Sequence, residues 1–272
     1  MYAEEELGNT EIWIYTDNAD WFRSFKDCPL PLHFREVNHA LIQQWRGKID
    51  FVHRVKIEVL KDMVSSHEGN ILYADTDVVF THRIDNMLQG IADGKLYMHV
   101  MEGIVSGCGN PVLTKLYNYL QGHSAMKVDG KPIYDLAMWN AGVLGFNTRY
   151  HAVLDDVLTF TDTEYPKFSK HVIEQFAFSV FMQQAAQVHT AAPGILHYWN
   201  LKEARQVLAS FFDHCKGKTW RELTIASMAI QMHVLMQEKM NFLANRSVAD
   251  KLMKKNWQPA HPDWKELLKQ VP

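Results

Sequence analysis

Over the first two thirds of the chain, short apolar runs alternate with longer stretches whose apolar residues recur at helical spacing. A sheet covered by helices is written this way, so the class read from the sequence is α/β. Strands are expected at 11–16 (EIWIYT), closed by Asp17, Asn18 and Ala19, and at 32–37. From Phe51, the residues Val52, Val55, Val59, Leu60 and Met63 mark a helix running to about Ser65. That spacing leaves Lys56, Lys61 and Asp62 for its outer face or for a ligand. Gly69 and Asn70 punctuate the chain before Ile71, Leu72, Tyr73 and Ala74, which read as a strand buried on both faces.

Further along, a polar helix is expected at 83–92, a strand at 96–101 and a helix opened by Pro111. Residues 127–132 (KVDGKP) carry the Asp-Gly signal of a tight hairpin or exposed loop. In 138–147 (MWNAGVLGFN), Gly142 and Gly145 suit close backbone approach better than ordinary strand packing. Helical patterns occupy 150–161, 171–186, 220–243 and 248–257. The expected organisation is a catalytic domain over 1–217 with a helical extension, 218–272, packed on it.

Charge narrows the class of partner. The 28 Lys and Arg nearly balance 31 Asp and Glu, for a formal charge of −3, too even for a protein that grips nucleic acid by its phosphates. No apolar run approaches the roughly 18 to 20 residues that cross a bilayer, and the acidic start does not read as a leader, so a cytoplasmic protein is expected. Peripheral membrane contact is a secondary expectation. It rests on Val248, Leu252, Met253 and Trp257, an apolar stripe beside Lys251, Lys254 and Lys255. Cys28, Cys108 and Cys215 lie far apart and read as buried thiols.

The stretch that carries most chemistry is 71–80, ILYADTDVVF, in which four apolar residues run into two carboxylates one residue apart. In extended chain, side chains at i and i+2 project to the same side, so Asp75 and Asp77 can face one cation, with Thr76 between them. Strand ends of an open α/β sheet are also where ligands collect. Two hard oxygen donors suit Mg²⁺ or Mn²⁺ held together with a substrate's phosphates. Far downstream, His197 follows another short apolar run in 194–202 (GILHYWNLK). Added to the two aspartates, it shifts the preferred metal toward Mn²⁺. Thr16 and Asp17 are candidates for the base or ribose of a nucleotide, Arg54 and Lys56 for its phosphates, and Trp139 and Trp199 for stacking on a sugar or base.

These residues resemble those of a known family. ILYADTDVVF is similar to the DxD motif of GT-A-fold glycosyltransferases. NAGVLGFN, the Glu174-Gln175 pair and His197 follow in the order of the glycogenin-like and bacterial lipopolysaccharide galactosyltransferase family. The resemblance spans roughly 11–202. It implies a GT-A-like, Rossmann-like mixed sheet, and a Mn²⁺ on Asp75, Asp77 and His197 that holds the diphosphate of a nucleotide-sugar donor. Asn140, Ala141 and Gly142 would then lie beside sugar and acceptor, with Glu174 and Gln175 near the anomeric carbon. The family continues its histidine with Phe or Tyr, Gly, and a Lys-Pro-Trp, whereas Tyr198, Trp199, Asn200, Leu201, Lys202 and Glu203 follow here. The resemblance implies that Lys202 would take the place of the diphosphate-binding lysine. The activity implied is transfer of a hexose from a UDP-sugar to a glycan, lipid-linked or other hydroxyl acceptor, with retention. If Glu174 and Gln175 share a helix, they point about 100° apart, so only one of them faces the sugar.

Two other readings of the same residues stand beside it. A haloacid-dehalogenase-type phosphatase also places Asp-x-Asp after an apolar strand, but near the chain start and with paired acids at a later strand end. Here Asp155 and Asp156 fall inside a helical pattern. A non-catalytic sugar-nucleotide-binding protein would keep the metal ligands and lack an acceptor site.

Overall fold

The structure is a computed structural model. It describes residues 10–107, 109–123, 126–192, 194–247, 250, 253 and 256–269. The chain is mixed α/β and divides into two compact units. One is Asn38–His197; the other joins the described residues of 10–37 and 198–269. These divisions fall at 37/38 and 197/198.

The discontinuous unit opens with β1 (Ile12–Thr16) and β2 (Leu32–Glu36), which pair in parallel with Ile12 opposite Leu32.

The unit Asn38–His197 then runs through α1 (His39–Arg46), α2 (Arg54–Ser66), β3 (Asn70–Ala74), β4 (Val78–Phe80), α3 (Asp85–Ala92), β5 (Leu96–Met98) and β6 (Met101–Ile104). It continues with α4 (Pro111–Leu120), β7 (Lys127–Val128), β8 (Lys131–Pro132), β9 (Ala137–Trp139), β10 (Val143–Asn147), α5 (Ala152–Glu164), α6 (Val172–Ala185), β11 (Val188–Thr190) and β12 (Ile195–His197). Its main sheet has the order β11-β5-β10-β3, with β11 parallel to β5 and β10 antiparallel to both its neighbours. Pairs β12-β4, β6-β9 and β7-β8 form separate ribbons.

Strand alternation gives that sheet two apolar faces. Leu96, Met98, Leu144 and Phe146 join a core with Leu154, Val157, Phe160, Ile173, Phe176 and Val180 from α5 and α6. Tyr97 and Val143 join a second cluster with Met87 and Ile91 of α3, Ala191 and Ile195. Gly145 is required by this second face, because a Cβ there would stand 2.8 Å from Ile91 Cδ1. Helix α6 is buried on nearly all sides, from Val172 to Met182, and this draws Glu174 inside with it.

After α6 and β12, the discontinuous unit resumes with α7 (Ala204–His214), α8 (Trp220–Ser227), α9 (Met232–Ala244) and α10 (Trp264–Lys269). A capping box on Thr219 and Glu222 opens α8.

Several expectations change. The strand at 71–74 is β3, but it forms the edge of its sheet and is only partly buried. The run 96–101 is two strands, since His99 and Val100 turn aside so that their backbone groups bond Asn140. The helical pattern 220–243 breaks at 228–231 into α8 and α9. The hairpin at 127–132 is present, with Asp129 and Gly130 both at positive φ (49° and 77°), as a type I′ turn needs. Cys215 is buried, Cys28 is only half-buried, and Cys108 lies outside the described residues. So does most of the stripe Val248, Lys251, Leu252, Lys254 and Lys255, of which Met253 is exposed and Trp257 buried. No helix among the described residues is long and apolar enough to cross a membrane.

Candidate metal centre

Two strand pairings assemble the site inside the unit Asn38–His197. Antiparallel β3-β10 sets Ala74 opposite Val143, and the Asp75 N–H donates to the Gly142 carbonyl at 2.8 Å. Antiparallel β4-β12 sets Val78 opposite His197, which carries Asp77 to the imidazole. Thr76 and Asp77 form a turn after Asp75, where extended chain was expected from the i and i+2 spacing. The two carboxylates converge all the same, because the turn passes from one pairing to the other. Asp75, Asp77 and His197 each offer a donor atom within 4.8 Å of the others, a grouping able to hold a metal ion.

The hydrogen bonds around His197 settle what its ring must do. The Gly142 N–H can only donate, and it donates to Asn140 Oδ1 at 3.0 Å. That oxygen also lies 2.8 Å from His197 Nδ1, so Nδ1 carries a proton and donates to it. Nε2 is then aimed at Asp77 Oδ1, 2.9 Å away. A lone pair facing a carboxylate oxygen is stable only with a cation or a second ring proton between them. Metal-binding histidines are held in this manner, one ring nitrogen fixed by an acceptor and the other presented to the ion. Two carboxylates and an imidazole presented in this way could hold a metal ion. His99 packs edge-on against His197 at 5.6 Å and bonds the Ile195 carbonyl through Nε2. Burial lowers the pKa of His99, so it supports the ring as a neutral neighbour.

Beneath the aspartates lies a buried charge network. Lys56 was expected as a phosphate contact or a solvated helix charge, but α2 turns it inward. Its Nζ donates to Asp75 Oδ2 at 3.3 Å and to the Ala141 carbonyl at 3.0 Å, and lies 3.3 Å from Glu174 Oε1. The Tyr73 hydroxyl donates to Asp75 Oδ1 at 2.6 Å. Burial works against the ammonium, yet Glu174 and Asp75 outweigh it and hold the Lys56 pKa above its ordinary value. Burial pushes the Glu174 carboxyl up to about 7 despite Lys56, with the Asp75 charge adding to the rise. Among the described residues its Oε1 has no partner in hydrogen-bond geometry.

The raised pKa of Glu174 fixes the sign of a pH effect. Between its ordinary 4.5 and about 7 the native state binds more protons at this position than the unfolded chain. Stability carried by the group is thus complete below the lower value and lost as pH rises through the upper one. Glu174→Gln removes this loss. The midpoint difference, variant minus wild type, is expected to become more positive from pH 4.5 to 7 and then to level off. Thermal melts across that range check it, and a flat difference contradicts it.

Adjacent on α6, Gln175 points elsewhere, as the helical angle requires: its Nε2 donates to Glu102 Oε2 at 2.9 Å. Glu102 Oε1 accepts from Asn140 Nδ2 at 3.1 Å. Glu102, Tyr73 and His99 were missed in the sequence, where nothing but proximity in space marks them. Arg54 does not join the cluster. It is buried, and its guanidinium bonds Asp162, Glu58 and the Trp45 carbonyl at 2.6–3.2 Å. Thr76 is exposed in the turn. Thr16, Asp17, Trp199 and Lys202 belong to the other unit; Thr16 Oγ1 caps the Asn18 N–H, and Asp17, Trp199 and Lys202 are exposed. Trp139 is half-buried in β9.

Comparisons with protein-family models, with curated proteins and with solved structures each returned no match for this chain.

Proposed function

We propose that this chain is a metal-dependent glycosyltransferase of GT-A-like fold, moving a hexose from a nucleotide-diphosphate sugar, UDP-linked by preference, to a hydroxyl acceptor with retention. One observation carries the reading: Asp77 and the Nε2 of a tautomer-fixed His197 face each other across 2.9 Å, with Asp75 alongside. A carbohydrate or glycolipid is the acceptor class.

In this reading Asp75, Asp77 and His197 hold Mn²⁺ or Mg²⁺, which when bound offsets the charge that grows on the departing diphosphate. The sugar C1–O bond to the diphosphate breaks, a C1–O bond to the acceptor forms, and the acceptor proton leaves with the diphosphate oxygen. Glu174 is a poor base for that proton, because it is buried at 2% exposure and pairs with Lys56. It holds Lys56 in place behind Asp75. Gln175 is the better candidate to face the anomeric carbon: its amide nitrogen is spent on Glu102, which leaves its oxygen to support positive charge on the sugar.

Thermal shift with UDP-glucose and UDP-galactose, each with and without Mn²⁺, tests the reading. Nucleotide sugar and metal together are expected to raise the midpoint by roughly 5 °C or more at about a hundred-fold excess over Kd, and by more than the two separate shifts combined. No shift with any nucleotide sugar would sink the proposal. A shift without transfer or donor hydrolysis would favour a binding protein, and release of phosphate from an aryl phosphate a phosphatase.

A further inference from the structure

Glu102 joins two parts of the site that the chain brings together from β9-β10 and α6. One carboxylate oxygen accepts from Asn140 Nδ2 at 3.1 Å and the other from Gln175 Nε2 at 2.9 Å. We propose that Glu102 is a positioning residue: it fixes both side-chain amides, so that Asn140 turns its oxygen to His197 and Gln175 turns its oxygen to the donor sugar. The second half of this statement rests on the glycosyltransferase reading; the first does not.

The argument is one of donors and acceptors. An amide rotated by 180° exchanges N and O at almost no steric cost, so its orientation is set by what its neighbours accept or donate. A carboxylate has only acceptors, and two amides that meet it must both present nitrogen. Glutamine at 102 would offer one oxygen and one NH₂. It can keep one of the two amides as it stands and must turn the other over.

Which amide turns follows from the rest of the network. Besides the bond of its Nδ2 to Glu102, Asn140 is held through Oδ1, which accepts from the Gly142 N–H and from the His197 ring. Among the described residues the Gln175 side chain hydrogen-bonds only Glu102. Glu102→Gln therefore leaves Asn140 and the metal ligands alone and inverts Gln175. Glu102→Ala removes the acceptor from both.

The test compares these variants in the full chain. Donor hydrolysis of UDP-glucose and UDP-galactose with Mn²⁺ is followed alongside the Mn²⁺ affinity, read by electron paramagnetic resonance. Glu102→Gln is expected to lower kcat on the order of 100-fold, with KM for the donor and Mn²⁺ affinity within about two-fold of wild type. In a Gln175→Ala background the same change is expected to cost nothing further, since a residue that acts through Gln175 has nothing left to orient. An equal loss in both backgrounds, or a Mn²⁺ affinity that falls in Glu102→Gln, overturns the proposal. A readout independent of activity separates it from the functional reading. The side-chain NH₂ resonances of Gln175, assigned by their loss in Gln175→Ala, should move in Glu102→Gln while the Asn140 pair stays put. If they do, with no donor hydrolysed by wild type, the positioning stands and the glycosyltransferase assignment fails. If neither amide moves, the positioning itself is wrong.

Discussion

Asp77→Ala is expected to abolish metal-dependent turnover while leaving the fold in place. Its carboxylate is one of three donor groups and the partner of His197 Nε2, so the variant leaves one carboxylate and an unmatched imidazole. Loss of charge stabilisation at a departing diphosphate is worth several kcal/mol; about 4 kcal/mol corresponds to roughly a thousand-fold fall in kcat. The same side chain is about 29% exposed and holds no strand together, since the β4-β12 ladder is made by backbone groups. A circular dichroism spectrum and melting midpoint close to wild type are therefore expected. Retained Mn²⁺-dependent donor turnover in this variant would remove the basis for the proposed function.

Gly142→Ala acts on the same imidazole from behind. A Cβ built there stands 2.2 Å from His197 Nδ1 and 2.3 Å from its Cε1, inside any allowed contact. The φ of Gly142 is unremarkable, so the penalty is one of space and not of backbone strain. The ring has to leave, and with it go the bonds to Asn140 and Asp77. Overpacking of this kind costs about 1–3 kcal/mol, a drop of several degrees in midpoint for a chain of this size. If His197 is a metal ligand as proposed, displacing it from its supporting bond is expected to weaken Mn²⁺ binding by about ten- to a hundred-fold. Calorimetry and Mn²⁺ titration check both effects. A second change, His197→Ala, should restore much of the lost midpoint without restoring metal binding; if the double variant is as unstable as the single one, the clash is not the cause.

The parts of the site legible in the sequence are those written in local pattern. The apolar run ending at Ala74 announces β3, and the two aspartates follow it without interruption. Gly142 and Gly145 signal crowding, and the side chains that crowd them are His197 at the first and Ile91 and Tyr97 at the second. What the sequence does not carry is the partner of each charge. Lys56 and Arg54 sit two residues apart on an amphipathic helix, and helical spacing cannot say that α5 and α6 bring carboxylates to both. Nor can it say that Asp75 and Asp77 meet through a turn, because the register that joins β4 to β12 is set more than a hundred residues downstream. Glu102 is the clearest loss: an exposed acid in a short strand, unremarkable until Asn140 and Gln175 are seen to converge on it.

One consequence of the Lys56 arrangement reaches past the site itself. An ammonium lodged beside Asp75 and Glu174 serves as a resident counter-ion, so the chain can fold and wait without borrowing a metal to quiet its own acids. A divalent ion held by Asp75, Asp77 and His197 would then meet a neighbour of its own sign, which would loosen its hold unless an anionic ligand arrived along with it. Under the proposed chemistry, ion and nucleotide would load as a pair and be shed as a pair, and the vacant protein would return each time to a self-neutralised ground state.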